Sequence, residues 1–407
     1  MVKYFLPLWL AAWPAFALAA SEPAAPLTLH TALALAAEAN ADLSAARHEL
    51  AATDGAVQQA GLLPNPTLEV ERVDRKRADD ARETTFLLSQ PLELGGKRGA
   101  RMQAAEHTRD SAAAALGARQ AEIRANVIDA WFAVLAAQEQ LRLAQESSEL
   151  AQRAAQATGR RVIAGKVSPV EETRAKVAAA TVTLELLRAR SELAVTRKKL
   201  AAMWGNPSPR FDKADGDIDL LPSLPDQALL HHRLAQAPAM ALARSELASR
   251  QSLAQVELSK RVPDITLNLG RKRSEELGRS QLIVGFSVPL PRFDRNQGNV
   301  LETTRRVDKA RDELSSTVLR LDSELAQARE DFDLARAQAL ALRTDIVPGA
   351  QSAYAAASTG FENGKFGFLD VLDAQRTLLE ARSQYLNALA QAHRAHAAII
   401  RILGAEQ

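Results

Sequence analysis

The sequence predicts a mainly α-helical chain with long coiled-coil helices, four β-strands and an internal two-fold repeat. Three observations predict this fold class. The second half echoes the first at an offset of about 199 residues, each half contains a helical stretch of about 60 residues, and each half contains two runs with a period of two. Because an open sheet edge cannot lie in lipid, we expect a small membrane β-barrel of twelve strands that a trimer completes.

The composition is that of a folded protein whose positive and negative charges nearly balance. The 407 residues include 51 Lys and Arg against 49 Asp and Glu, which gives a net charge of +2. A protein that wraps nucleic acid has a strongly basic surface, so no nucleic-acid partner is expected. Cysteine is absent, which excludes disulfides, thiolate metal sites and a thiol nucleophile.

Residues 1–19 have the pattern of a signal peptide. Lys3 supplies the positive start, residues 4–16 form an apolar stretch, and small residues precede the predicted cleavage site. The alternative is a membrane anchor. The apolar stretch contains Pro7 and Pro14 and is shorter than the ~20 residues that span a bilayer, so the mature chain is expected to be exported.

Each half of the mature sequence is expected to be one structural repeat. The first covers residues 27–205 and the second covers 227–404, and residues 206–226 form an irregular, proline-rich linker between them. Matching landmarks keep the same offset to within one residue. They are Pro64 and Pro263, Gly165-Lys166 and Gly364-Lys365, and Trp204-Gly205 and Leu403-Gly404.

The helices of each repeat are predicted to be one very long helix and two shorter ones. They cover residues 29–63, 97–158 and 169–203 in the first repeat, and 226–261, 296–358 and 368–403 in the second. The second long helix has apolar residues separated by sevens, threes and fours, which indicates a coiled coil, and Pro348 predicts a kink near its end. Two shorter helices match one long helix in length, which favours a tube wall. A helical bundle without a tube is the alternative.

The strands are predicted as two hairpins, at residues 67–92 and 264–290. The last strand has one apolar face, which is expected to meet lipid and consists of Leu282, Val284, Phe286 and Val288. Strands of ~9 to 11 residues have the length of tilted strands that cross a bilayer. A soluble four-stranded patch is the alternative interpretation.

Over essentially all of its mature length the chain resembles the TolC-type outer-membrane factor family. The most specific motifs are Gly360-Phe361-Glu362-Asn363-Gly364-Lys365 and Leu369-Asp370-Val371-Leu372-Asp373-Ala374-Gln375. Leu63-Pro64-Asn65-Pro66 and Gln90-Pro91-Leu92-Glu93-Leu94-Gly95-Gly96-Lys97-Arg98 are similar to the branch for cobalt, zinc and cadmium resistance. The resemblance implies a homotrimer with a twelve-stranded barrel in the outer membrane of a Gram-negative bacterium. It also implies an α-helical tunnel in the periplasm, a periplasmic membrane-fusion adaptor and an inner-membrane resistance-nodulation-division pump.

The resemblance also implies a periplasmic gate. Asp370 and Asp373 match the aspartates that narrow the family's tunnel mouth, where three copies would form a ring selective for cations. The alternative is that they are acids of a helix's first turn, which its positive end favours. The family's best-known member latches the mouth with a tyrosine and an arginine. Phe361 and Phe366 stand at these places, which predicts apolar packing or no firm closure.

The adaptor is expected to contact two turns that the repeats share. The turns contain Gly165, Lys166, Val167 and Ser168 in the first repeat and Gly364, Lys365 and Gly367 in the second. Glycine permits the left-handed backbone that reverses a helix. Tight turns without a binding role are the alternative, which explains the glycines but not the lysine that follows both.

The sequence lacks the marks of an enzyme or a resident metal. No phosphate loop, nucleophile elbow or paired-acid site is found, and no cofactor is expected. His393 and His396 could share a helix face, but without a third ligand they are expected to be polar residues at the surface rather than a metal site. The expected function is a passive exit duct for heavy-metal cations. The alternatives are a duct for organic drugs or secreted peptides, and a periplasmic coiled-coil scaffold without a pore.

Overall fold

The computed structural model describes residues 26–73, 82–274 and 278–404. The predicted signal peptide lies outside these residues, as do parts of both hairpin loops. In chain order the elements are α1 (Leu29–Ala39), α2 (Ala41–Ala60), β1 (Thr67–Val73), β2 (Glu83–Leu92), α3 (Lys97–Ile163), α4 (Pro169–Ala202), α5 (Gln227–Leu234), α6 (Pro238–Ser259), β3 (Ile265–Ser274), β4 (Arg279–Ser287), α7 (Gln297–Ala341), a π-helical turn (Leu342–Ile346), α8 (Val347–Glu362) and α9 (Phe368–Leu403). In this part of the chain, each helix is too short or too polar to cross a membrane.

Two predicted helices are each broken into a pair. The first helix ends at Asn40, whose backbone is extended rather than helical. The side-chain amide of Asn40 donates a 2.8 Å hydrogen bond to the carbonyl of Met203. Between α5 and α6 the break precedes Pro238, whose ring disfavours helical backbone at Ala237. The predictions of unbroken helices over residues 29–63 and 226–261 are therefore wrong at these two points.

The second long helix is interrupted near Pro348, where the sequence predicts a kink. The π-helical turn at Leu342–Ile346 lies directly before this proline. Proline has no N–H to donate to the carbonyl four residues earlier, so the helix widens locally rather than ending. Helical backbone then continues in α8 as far as Glu362.

One compact unit comprises residues 26–41, 127–220 and 341–390 among those described. The segment after α4 is irregular, and it is held to the chain start by a short parallel bridge between Leu27 and Ala214. The indole N–H of Trp131 donates to the carbonyl of Leu27, and Gln138 both donates to and accepts from the backbone of Ala214. Gly216 lies against the indole, since a Cβ there would be 2.1 Å from a ring carbon of Trp131.

The second compact unit comprises residues 42–126, 221–340 and 391–404 among those described. Its helical core is the apolar seam of α7 packed against α5 and the end of α9. The buried residues of this core include Leu230, Leu321, Leu325, Ala328, Ile399 and Ile402. The predicted coiled-coil seam is therefore buried along this part of α7, whereas Val318 in the same pattern remains exposed.

The four strands form one antiparallel sheet in the order β1-β2-β3-β4. The pairs Thr67 with Ser89, Gln90 with Leu267, and Thr266 with Ser287 define the register. All four strands join helices at the same end of the sheet. Both hairpin tips therefore lie at the opposite end. Val288 lies beyond the end of β4, because Pro289 follows it and has no N–H for a ladder. Its prediction as a strand residue is wrong.

Candidate functional site

One face of the sheet is apolar across all four strands. Directly paired residues share a face, so Leu68, Leu88, Leu269 and Val284 form one row across the sheet. We call this the apolar face; it consists of Leu68, Val70, Phe86, Leu88, Leu267, Leu269, Leu282, Val284 and Phe286. The chain covers it poorly, and the side chains of Leu282, Val284 and Phe286 are 75%, 73% and 73% exposed. A contiguous exposed apolar surface of this kind marks contact with lipid or protein.

The opposite face of the sheet is polar, and we call it the polar face. Ser89 donates a 2.8 Å hydrogen bond to Asn268, and Lys272 forms a 2.8 Å ion pair with Glu83. The same face carries Glu69 and Glu71, both exposed. A sheet with one apolar and one polar face suits a boundary between lipid and water.

The two shared turns have the same backbone geometry. Gly165 and Gly364 have φ values of 67° and 73°, the left-handed conformation that the sequence predicts for a helix reversal. The N–H of Lys166 donates to the carbonyl of Arg161 at 2.9 Å, and the N–H of Lys365 donates to the carbonyl of Gly360 at 2.8 Å. Each glycine N–H bonds to the next carbonyl along, which completes a Schellman motif in both repeats. Lys365 is exposed, as is Lys166.

The helices after the two turns are capped differently. In the first repeat the hydroxyl of Ser168 accepts a 3.3 Å hydrogen bond from the N–H of Val170, as an N-cap does. In the second repeat Gly367 has no side chain to do this. The carboxylate of Asp370 instead reaches back and accepts a 2.8 Å hydrogen bond from the N–H of Gly367. Asp370 therefore lies in the first turn of α9, as the alternative interpretation has it, and whether it also contributes to a cation ring stays a prediction.

Asp373 lies one helical turn after Asp370, and both side chains are exposed. The first repeat has Glu171 and Arg174 at the same spacing, and these form a 3.3 Å ion pair. The second repeat replaces the arginine by a second acid. The start of α9 therefore presents two carboxylates at the two positions where α4 has an ion pair.

Phe361, near the end of α8, is held by a cation that the sequence reasoning missed. The guanidinium of Arg161, at the end of α3, donates a 3.0 Å hydrogen bond to the Phe361 carbonyl, and its carbon lies 3.9 Å from the centre of the ring. This is a cation–π geometry. Within one chain, the contact of Phe361 is therefore with a cation, and how the mouth closes between copies stays a prediction.

Phe366 packs on the backbone of its own turn. A Cβ at Gly360 would lie 2.1 Å from a ring carbon of Phe366, so the ring occupies space that only glycine leaves open. The ring still has 50% of its surface exposed. Phe366 therefore remains accessible to a second copy of the chain.

Metal-ligating side chains are dispersed in the described part of the chain. No group of three or more His, Cys, Asp or Glu side chains lies close enough there to hold an ion. His393 is buried, and the ring of His396 lies 6.3 Å from the ring of Phe332. The expectation that these histidines lie at the surface is therefore wrong for His393, which is part of the helical core.

Comparisons with known proteins add to this geometry. The family model for outer membrane efflux proteins matches the chain twice, over residues 32–206 and 229–405. The cobalt-zinc-cadmium resistance protein CzcC of Cupriavidus metallidurans is 46% identical over 419 residues, which cover 99% of this chain and 100% of that protein. The nickel and cobalt resistance protein CnrC of the same organism is 29% identical over 76% of this chain and 73% of its own length.

Solved structures share the fold at lower identity. CusC has a TM-score of 0.80 at 18% identity, over 93% of this chain and 92% of that chain. The outer membrane protein VceC from Vibrio cholerae has a TM-score of 0.78 at 19% identity, over 92% of this chain and 96% of that chain. The outer-membrane channel OprN has a TM-score of 0.77 at 20% identity, over 92% of this chain and 89% of that chain.

Proposed function

Because the chain belongs to the outer membrane efflux protein family, we propose that three copies of it form the exit duct of a tripartite heavy-metal efflux system. The observation that carries this proposal is the sheet, with an apolar face across all four strands and a polar face behind it. Lipid would cover the apolar face and water would fill the space enclosed by the polar face. The long helices would continue the duct into the periplasm.

The proposed trimer follows from the edges of the sheet. Each chain supplies four strands, with β1 and β4 at the edges. Backbone groups at an open edge cannot remain unpaired in lipid, so β4 of one copy must pair with β1 of another. Three copies give twelve strands, a barrel wide enough to enclose water.

Cations are the proposed cargo. CzcC is named for resistance to cobalt, zinc and cadmium, and its identity to this chain extends over the whole length of both. Three copies of Asp370 and Asp373 would place six carboxylates at the periplasmic mouth, and Glu69 and Glu71 would line the barrel. Rings of carboxylates concentrate cations and disfavour anions. Phe361 and Phe366 would narrow the same mouth.

The proposed partners lie on the periplasmic side. The two turns, with their exposed Gly-Lys pairs, would receive a membrane-fusion adaptor, and a resistance-nodulation-division pump in the inner membrane would supply the energy. The duct itself would be passive, without catalysis and without a cofactor. A duct for organic drugs or secreted peptides is the second candidate that the sequence leaves open.

The experiment expresses the chain with a cognate adaptor and pump in a strain that lacks its own exit duct. We expect zinc, cobalt or cadmium tolerance to be restored, and cross-linking of detergent-extracted protein to give trimers. Restored tolerance to organic drugs alone would favour the second candidate. A monodisperse, fully soluble monomer would contradict the duct and support the scaffold without a pore.

A matched pair of variants tests the mouth. The double change Asp370→Asn and Asp373→Asn should weaken cation selectivity in bilayer recordings and leave the trimer assembled. The control is Glu171→Gln with Arg174→Gln, which alters the corresponding turn of the first repeat without changing its net charge. Unchanged selectivity in the double Asn variant would leave Asp370 and Asp373 as acids of the helix start, with the gate elsewhere.

A further inference from the structure

The apolar face ends in arginines toward the hairpin tips. On this face the last complete row is Arg72, Thr84, Arg273 and Ser280, and the next row of the same face is Val70, Phe86, Arg271 and Leu282. We call Arg72, Arg271 and Arg273 the basic band. All three side chains are exposed. The band marks the height at which this face changes from apolar to charged.

The two faces of the sheet differ in the charges that they carry. Among the described strand residues, the charged side chains of the apolar face are the three arginines, and every carboxylate lies on the polar face. Lys272 lies between Arg271 and Arg273 in sequence but points to the other face, where it pairs with Glu83. Within these strands, the uncharged side chains on the face of the basic band are hydroxyls, one amide and apolar groups.

The spacing of the band suits an anion with several oxygens. Arg271 and Arg273 are two residues apart on one strand, or about 7 Å, and Arg72 lies two strands from Arg273, or about 10 Å. The Arg271 guanidinium donates a 3.0 Å hydrogen bond to the hydroxyl of Ser280, which directs it along the sheet surface toward the tip. A planar guanidinium retains further donors for a phosphate, which it binds in a bidentate manner.

We propose that the basic band binds the phosphate groups of the anionic glycolipid in the outer leaflet. The inference rests on the proposed placement of the apolar face in the outer membrane. The helices join the sheet at the end opposite the hairpin tips, so periplasmic helices leave the tips at the outer surface. An arginine among Val70, Phe86 and Leu282 would lie at the boundary of the hydrocarbon, where a lipid phosphate satisfies its charge.

The experiment measures binding of lipid A with two phosphates to the purified full-length protein in detergent. The test variant is Arg271→Gln with Arg273→Gln, and the control is Arg279→Gln, which removes a charge from the same end of the sheet on the polar face. We expect the test variant to bind lipid A about 30-fold more weakly, at about 5-fold per arginine, and the control to bind it as the wild type does. The double variant Arg271→Lys with Arg273→Lys should lose only part of the affinity for lipid A. Lysine keeps the positive charge but lacks the planar guanidinium that binds phosphate through two hydrogen bonds.

Two further measurements define what is bound. Dephosphorylated lipid A should bind the wild type as weakly as it binds the test variant, and inorganic phosphate should not compete at the same concentration. Equal affinity of the wild type and the test variant for lipid A would overturn the inference, as would an equal loss in the control. Trimer assembly and conductance are recorded for every variant. An assembled, conducting variant with unchanged lipid binding would reject the basic band and leave the duct intact.

Discussion

Replacing Arg161 by Gln tests whether this side chain holds the proposed mouth closed. Its guanidinium joins the end of α3 to the end of α8 through two contacts with Phe361, a 3.0 Å hydrogen bond to the carbonyl and a 3.9 Å approach to the ring. Glutamine is shorter and uncharged, so it cannot make both contacts. If opening separates these two helix ends, the variant lowers the free energy needed to open.

The magnitude follows from the two contacts. A hydrogen bond from a charged donor contributes about 1.5 to 3 kcal/mol, and the lower value applies because both residues are half-buried. A partly exposed cation–π contact adds about 0.5 to 1 kcal/mol. The sum is about 2 kcal/mol, which corresponds to an opening equilibrium about 30-fold more favourable.

The assay is the open probability of purified trimers in planar bilayers, with thermal stability measured in parallel. Arg160→Gln is the matched control, because the exposed neighbour loses the same charge without contacting Phe361. Phe361→Leu removes the ring and keeps the carbonyl, so it should shift opening by only about 2-fold to 5-fold. The expected order of open probability is therefore Arg161→Gln, then Phe361→Leu, then Arg160→Gln.

The reasoning fails if Arg161→Gln and Arg160→Gln give the same open probability. It also fails if Phe361→Leu opens the channel as much as Arg161→Gln does, since the carbonyl bond would then contribute nothing. A loss of trimers in Arg161→Gln alone would assign the contact to assembly rather than to gating. Arg161→Lys, which retains the charge, should lie between the wild type and Arg161→Gln.

Two other predictions concern separate parts of the chain. Val284→Arg, on the apolar face, should destabilise the assembled protein by ~2 to 4 kcal/mol if it lies near the bilayer midplane. Ile283→Arg, on the polar face, should be tolerated. Equal assembly defects in the two variants would contradict the assigned faces. Burial and a 2.8 Å hydrogen bond to Asp219 raise the pKa of Tyr385 to about 12. Because an unfolded tyrosine has a pKa near 10, this bond should stabilise the fold fully below about pH 10 and lose its effect as the pH rises through about 12. The gap in melting temperature between the wild type and Tyr385→Phe should close over that range, and a constant gap would show that the bond does not contribute.

The sheet could be predicted from the sequence because its signal is local. A period of two is visible within ten residues, and polar turn residues limit each run, so β1 and β2 together begin and end with the hairpin predicted over residues 67–92. The end of β4 was harder to predict. Val288 continues the apolar alternation, but Pro289 removes a ladder donor and the strand ends at Ser287. The alternation of apolar and polar side chains therefore extends one residue beyond the backbone hydrogen bonding of β4.

The helix breaks show the limit of periodicity. Pro238 could have been recognised as a breaker from sequence, since the residue before a proline avoids helical backbone. Asn40 could not, because its break is stabilised by the carbonyl of Met203, which is 163 positions away. A contact of that kind depends on tertiary packing, so the local sequence does not predict it.

The missed role of Arg161 has the same cause. The repeat pairs Val162 with Phe361 and Arg161 with Gly360, so comparison of the repeats shows equivalent positions rather than contacts. Arg161 is still recognisable as a cation in the last turn of α3. If both turns are placed at one end of the tunnel, it becomes the expected partner for an aromatic residue at the end of α8.

The differences between the two repeats explain how one turn geometry can provide a charged mouth. Both turns have the same glycine conformation and the same Schellman hydrogen bonds, so the backbone is duplicated. In the first repeat the acid Glu171 is neutralised by Arg174. In the second, Asp370 accepts a hydrogen bond from the N–H of Gly367 rather than from an N–H inside the helix, and Asp373 adds a charge at the position of the arginine. The proposed cation ring therefore requires one difference in charge between the repeats, an acid in place of Arg174.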